Sequence, residues 1–179
     1  MRWYRDIITG FPGEPDTAKN HFLLGELLYE DSRFAEASVE YEKTAYAYPK
    51  HDKSADAGYA ALLAYAEQGK RAVAADKPKL QLAGVQSSLR FADANGGDPR
   101  VATVLTDAAD RLYALKDIEQ AQSVAERVLA LDPPATADQR RVATTVLANT
   151  AFESGAFDRA EKRYGELLAL TPTNDKARG

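Results

Sequence analysis

The sequence predicts an all-α chain, a helical solenoid of about nine helices packed in antiparallel pairs, on three observations. Prolines that close apolar-periodic stretches recur at Pro12, Pro49, Pro99, Pro133 and Pro172, with gaps of 37, 50, 34 and 39 residues. The breaks EDSRF, ALKDI and ESGAF each place an aromatic or aliphatic residue just past a short polar interruption, with helical patterns on both sides. Valine and isoleucine are too sparse and too little alternated for strands. The recurring unit is therefore helix, short turn, helix, proline.

Taken in order, MRWYRDIITGFP reads as the end of a helix, with Trp3, Tyr4, Ile7 and Ile8 on one face and Gly10 and Pro12 as stops. Four units follow over 16–49, 53–99, 100–133 and 136–172, with a tail at 173–179. The second carries an insertion of about 13 residues near 69–82 relative to the mid-thirties repeat length. Asp16, Asp117 and Thr136 stand where helix N-caps are expected, and Thr136 with Gln139 has the spacing of a capping box. Asp76 before Lys77-Pro78 marks another start, because proline in a first turn sacrifices a donor that has no partner anyway. Gly96-Gly97 reads as a stop. The whole chain is expected to be one domain, since no single unit buries its apolar face without a neighbour.

A chain of 179 residues, 45% hydrophobic and 28% charged, has ordinary globular composition. The net charge of −4 and pI near 5.3 argue against a nucleic-acid backbone as partner. Without cysteine there is no disulfide framework, thiolate metal site or cysteine nucleophile. No apolar run is long enough for membrane insertion, and MRWYRD lacks the apolar segment of a signal peptide.

These residues resemble the tetratricopeptide repeat (TPR) family. In AKNHFLLGELLYEDSRFAEASVEYEKTAYAYP, Leu24, Gly25, Phe34, Ala37, Tyr41 and Pro49 match its pattern, while His21, Leu28 and Thr44 depart from it. Gly155, Phe157, Ala160, Tyr164 and Pro172 match in the last unit, where Leu147 and Ala148 replace leucine-glycine. Ala109, Ile118, Ala121 and Pro133 keep the spacing with weaker side chains, and the inserted unit retains Tyr65, Phe91, Ala94 and Pro99. The resemblance spans essentially the whole chain and implies a right-handed superhelix whose first helices line a concave groove for peptides or protein segments. Small residues at Gly25, Ala37, Ala109, Ala121, Ala148 and Ala160 suit close helix approach. Phe34, Tyr41, Phe157 and Tyr164 are expected to fill the space between units.

No catalytic constellation is expected. His21 stands at a packing position and His51 in a turn, neither beside a recognisable nucleophile, and no phosphate-binding loop or metal-spaced ligand set is present. No cofactor is expected. The inward phase of the resemblance instead selects Phe22, Glu26, Tyr29 and Glu30, then Tyr59, Leu63 and Glu67, then Thr106, Asp110 and Tyr113, and finally Thr145, Asn149, Phe152 and Glu153. This aromatic and acidic set suits a partner segment carrying Lys or Arg with apolar side chains. The alternative is that the aromatics pack between first helices and the acids form a solvated face. Family members that clamp a chaperone's C-terminal carboxylate resemble one another in lysine and asparagine on this face. Phe22 and Glu26 stand at the first of those places, so that activity is not expected.

In the insertion, Lys70, Arg71, Lys77 and Lys79 are either a solvated loop or the basic tip of a lengthened helix pair. The expected function is a non-enzymatic protein-interaction module. The alternative is a structural assembly subunit of an envelope or secretion complex, acting through the solenoid ends or the convex face. The repeat style, EYEKTAYAYPKHDKSADAGYAALLAY in particular, resembles long bacterial cell-envelope repeat proteins. That implies a periplasmic or outer-membrane-associated location, with the cytoplasm as the alternative. Tyr4, Ile7 and Pro12 fall where Tyr41, Thr44 and Pro49 fall one unit later, so residues 1–12 read as the second helix of a truncated repeat. The expectation is an internal piece of a longer repeat protein, with Trp3 covering the end of the core or meeting a neighbour.

Overall fold

The computed structural model describes residues 1–14 and 16–170, and these form nine α-helices with no strand. In chain order they are α1 (Arg2–Gly10), α2 (Thr17–Glu30), α3 (Phe34–Tyr46), α4 (Ser54–Arg71), α5 (Lys77–Ala94), α6 (Val101–Ala114), α7 (Ile118–Leu129), α8 (Ala137–Glu153) and α9 (Phe157–Leu170). Pro172 and the tail 173–179 lie outside the described residues. The capping box at α8 is complete. Thr136 Oγ1 accepts the Gln139 N–H at 3.3 Å, and Gln139 Oε1 accepts the Thr136 N–H at 2.9 Å. Asp117 accepts the Gln120 N–H at 3.2 Å at the start of α7. Asp16 and Asp76 occupy N-cap positions without a side-chain bond to the helix, and Pro78 falls in the first turn of α5.

The three sequence breaks close by one mechanism. Ser32, Lys116 and Gly155 take the left-handed conformation, with φ of 62°, 63° and 75°. In each, this residue's N–H and that of the next reach back to two carbonyls of the finished helix. Ser32 bonds Tyr29 at 2.9 Å and Arg33 bonds Leu28 at 2.8 Å. Lys116 bonds Tyr113 and Asp117 bonds Leu112, both at 3.0 Å; Gly155 bonds Phe152 at 3.0 Å and Ala156 bonds Ala151 at 2.9 Å. This is the Schellman arrangement, which satisfies otherwise orphaned carbonyls. Only Gly155 is a residue that adopts this backbone freely. Ser32→Gly is therefore expected to stabilise the protein by about 0.5–1 kcal/mol, the left-handed penalty less glycine's extra entropy. A rise in the urea midpoint would show it; an unchanged or lower midpoint would contradict it. The inserted unit turns differently: α4 runs to Arg71, Ala72 is extended, and α5 begins at Lys77.

Contacts divide the chain into two compact units, Met1–Asp98 and a second beginning at Pro99, where the repeat reading draws one domain. In the first, α1 packs on α2, α2 on α3, α3 on α4 and α4 on α5. Its core gathers Leu24, Leu28, Phe34, Ala37, Tyr41, Ala61 and Ala64, with Tyr4 and Ile8 of α1 against it. Trp3 does not cover that core: it is 62% exposed, its ring edge-on to Tyr4 at 4.9 Å. In the second unit α6, α7, α8 and α9 pack in sequence, and α8 also lies against α6. Val104, Leu105, Ala108, Leu112, Val124, Val128, Val146 and Leu147 are buried there. Every small residue singled out for close approach is buried, from Gly25 and Ala37 to Ala148 and Ala160. The aromatics divide. Phe34 and Tyr41 are buried, whereas Phe157 and Tyr164 are exposed, because α4 covers α3 and no described helix lies beyond α9.

Candidate functional site

In the first unit the candidate residues sit on α2 and α4, and most are already engaged. The Phe22 ring lies 5.8 Å from that of Tyr41, with Lys53 Nζ 5.9 Å from its centroid. Tyr29 meets Phe34 edge-on at 4.9 Å, and Tyr59 lies 6.0 Å from Phe91. Glu26 accepts the Tyr41 hydroxyl at 2.5 Å, so this carboxylate braces a core phenol. Burial, reinforced by Glu26, pushes that phenol far above its ordinary range. Glu67 pairs with Lys70 at 2.6 Å. Leu63 and Glu30 are exposed, Leu63 being 45% accessible.

The second unit brings its candidates together. Tyr113 of α6 donates its hydroxyl to Glu153 of α8 at 2.7 Å. Lys116 reaches the same carboxylate at 3.1 Å and places its ammonium 5.1 Å from the Tyr113 ring centroid. Tyr164 of α9 donates to Asn149 Oδ1 at 2.8 Å. The bond to Glu153 and partial desolvation raise the Tyr113 phenol, while the hydrogen bonds from Tyr113 and Lys116 lower the Glu153 carboxyl. The helix phase found Tyr113, Asn149 and Glu153. It missed Lys116, which enters through the left-handed turn, and Tyr164, which the repeat register assigns to packing. Asp110 is exposed on α6, and Phe152 meets Phe157 edge-on at 5.7 Å while 56% exposed. Thr106 and Thr145 instead bond carbonyls of their own helices, at 2.7 and 2.8 Å.

Both histidines serve the fold. His51 Nδ1 lies 3.2 Å from the Lys53 N–H and its Nε2 3.0 Å from the Thr44 carbonyl, so the ring ties the turn after α3 to the end of that helix. His21 is buried, its ring 5.7 Å from Tyr48, and its Nδ1–H donates to Glu40, which also receives Lys43 at 2.9 Å. Burial alone raises the Glu40 carboxyl, but the bonds from His21 and Lys43 outweigh it and hold it below its ordinary 4.5. A lowered folded value contributes stability above the unfolded value and loses it as pH falls through the folded one. Glu40→Gln is therefore expected to destabilise the protein near neutral pH, by a margin that shrinks below about pH 4.5. Urea unfolding at both pH values measures it; a margin independent of pH would contradict the assignment.

The insertion forms a second candidate surface. The Arg71 guanidinium stacks on the Phe34 ring at 4.4 Å beside a cleft of about 350 Å3 that Arg33, Gln68, Asp76 and Leu80 also line. Lys77 and Lys79 are exposed on the first turn of α5. Among the described residues no group of three or more His, Asp or Glu is placed to hold a metal ion, and no helix is long and apolar enough to cross a membrane. The fold and these surfaces define a class, an all-α protein of helical repeat-like construction. No protein-family model matches the chain, and no curated protein matches it.

Proposed function

We propose that this chain is a non-enzymatic protein-interaction module of the tetratricopeptide type, a right-handed solenoid whose first helices hold a partner segment. The three identical turns and the lateral packing of α6 on α8 support the architecture. One observation carries the function: Tyr113, Asn149 and Glu153, from two different helices, converge on an accessible patch rich in hydrogen-bonding groups. The partner segment keeps the expected mixture of basic and apolar side chains, with fewer carboxylates free to meet the basic ones. Within the second unit Glu153 already has partners, so a basic residue of a ligand meets Asp110, while Tyr113 and Asn149 offer contact area and backbone hydrogen bonds. The resemblance to bacterial envelope proteins carries the location, periplasmic or outer-membrane-associated.

Selection from a displayed random-peptide library against the whole chain tests this reading. A consensus peptide is expected to emerge and to lose at least about tenfold in affinity for the double variant Tyr113→Ala, Asn149→Ala, a change of ~1.4 kcal/mol or more, with helical content unchanged. Failure to enrich any peptide, or equal affinity for the variant, would sink the groove. Assembly through exposed helix faces is the second reading, favoured by Trp3 and Phe11, which stand more than half exposed at the two ends of α1.

A further inference from the structure

The inserted unit differs from its neighbour in length and in charge. Its helices α4 and α5 run 18 residues each, against 14 and 13 for α2 and α3. Residues 70–79 hold four cations, Lys70, Arg71, Lys77 and Lys79, and one carboxylate, Asp76, in a chain whose net charge is −4. Ser87 donates to Glu42 at 2.7 Å and Arg90 stacks on Tyr46 at 4.0 Å, so α5 runs beside α3 in the same direction. The first turns of these two helices and the last turn of α4 enclose the cleft of about 350 Å3, with Phe34, Ala35, Ala72 and Leu80 as its apolar walls. Apolar surface continues around it. Val39, one turn past Ala35 on α3, is exposed, as are Leu82 of α5 and Val73 in the connection, the last at 66%.

The charges at this cleft do not cancel. Arg33 holds Glu36 through two bonds of 2.7 Å, Arg5 reaches the same carboxylate at 2.9 Å, and Lys70 holds Glu67 at 2.6 Å. Among the described residues Arg71, Lys77 and Lys79 have no carboxylate within ion-pair distance, and Asp76 has no cation. Three cations therefore stand against one carboxylate. The stack on Phe34 holds the Arg71 plane and leaves its N–H edge without a partner, the edge that a carboxylate bridges.

We propose that this surface binds an acidic segment of a partner protein, with an apolar side chain in the cleft and flanking Asp or Glu residues on Arg71, Lys77 and Lys79. Charge selects an acidic partner. Concavity selects a protein segment, because a bilayer surface brings no side chain to fill a cleft walled by Phe34 and Leu80. This site is separate from the face of the first helices. It is built from α3, α5 and the connection between α4 and α5, and its charge preference is the opposite one.

The probe is the fluorescein-labelled peptide Asp-Glu-Glu-Phe-Leu-Asp-Glu-Glu, titrated against the full chain by anisotropy at low salt. Saturable binding is expected, weakening as salt rises. Lys77→Glu with Lys79→Glu, at two exposed positions, is expected to weaken it at least about tenfold, and Arg71→Gln severalfold. Ala35→Trp, also at an exposed position, fills the cleft without changing a charge and is expected to weaken binding severalfold, with helical content unchanged by circular dichroism. The same peptide with serine in place of Phe-Leu is expected to bind more weakly, and vesicles of phosphatidylserine and phosphatidylcholine not to bind. Absence of saturable peptide binding, affinity indifferent to the charge reversals or to Ala35→Trp, or equal affinity for the serine peptide would overturn the proposal. Vesicle binding abolished by the charge reversals but untouched by Ala35→Trp would overturn it in favour of a lipid surface.

Discussion

Tyr41→Ala is expected to cost the first unit about 3–5 kcal/mol, the range for deleting a large buried aromatic ring. The ring is 2% exposed and sits among Leu24, Leu28, Phe34 and the alanines of α4. It also lies so close to α2 that a Cβ at Gly25 would stand 2.8 Å from two of its carbons. That geometry adds a sign test. In the native background Gly25→Ala overpacks the helix pair and is expected to destabilise by roughly 1–3 kcal/mol. In the Tyr41→Ala background the clash is gone, and alanine's better helix propensity makes the same change stabilising by up to about 1 kcal/mol. Urea unfolding of the four proteins of this cycle measures both terms. Additive effects would mean that the ring and Gly25 do not meet.

The second large effect lies in α6. Leu112 is completely buried and its carbonyl also accepts the Asp117 N–H that closes the turn into α7. Leu112→Ala removes the side chain and keeps the backbone bond, so the loss is one of packing alone, about 2–5 kcal/mol depending on how far α6, α7 and α8 relax into the cavity. Hydrogen exchange on the α6–α8 amides reads it as faster exchange in protected positions. A loss below about 1 kcal/mol would show that Leu112 does not fill the centre of this unit.

The effects differ in kind because the sequence encodes them differently. The alternation of helix, break and helix is written locally, in prolines, in the Thr136–Gln139 pair and in apolar spacing, and the helices follow it. The turns are local in position but not in type: Ser32 and Lys116 adopt a backbone that composition assigns to glycine, held there by two carbonyl bonds apiece. Helix phase picks out Tyr113, Asn149 and Glu153 because neighbouring first helices repeat the same phase. It is silent on Lys116, whose side chain is aimed by the turn and not by a helix.

By itself, then, the sequence determined which segments are helical, where they stop, and where small residues permit two of them to touch. Only the tertiary structure decided which side chains remain available. Glu26 reads as a groove carboxylate until the Tyr41 hydroxyl is found on it. Phe34 and Phe157 share a motif, yet one is core and the other surface. Periodicity is a property of a single helix and repeats wherever the pattern repeats. Burial and pairing belong to whatever lies across from that helix, and identical patterns acquire different neighbours.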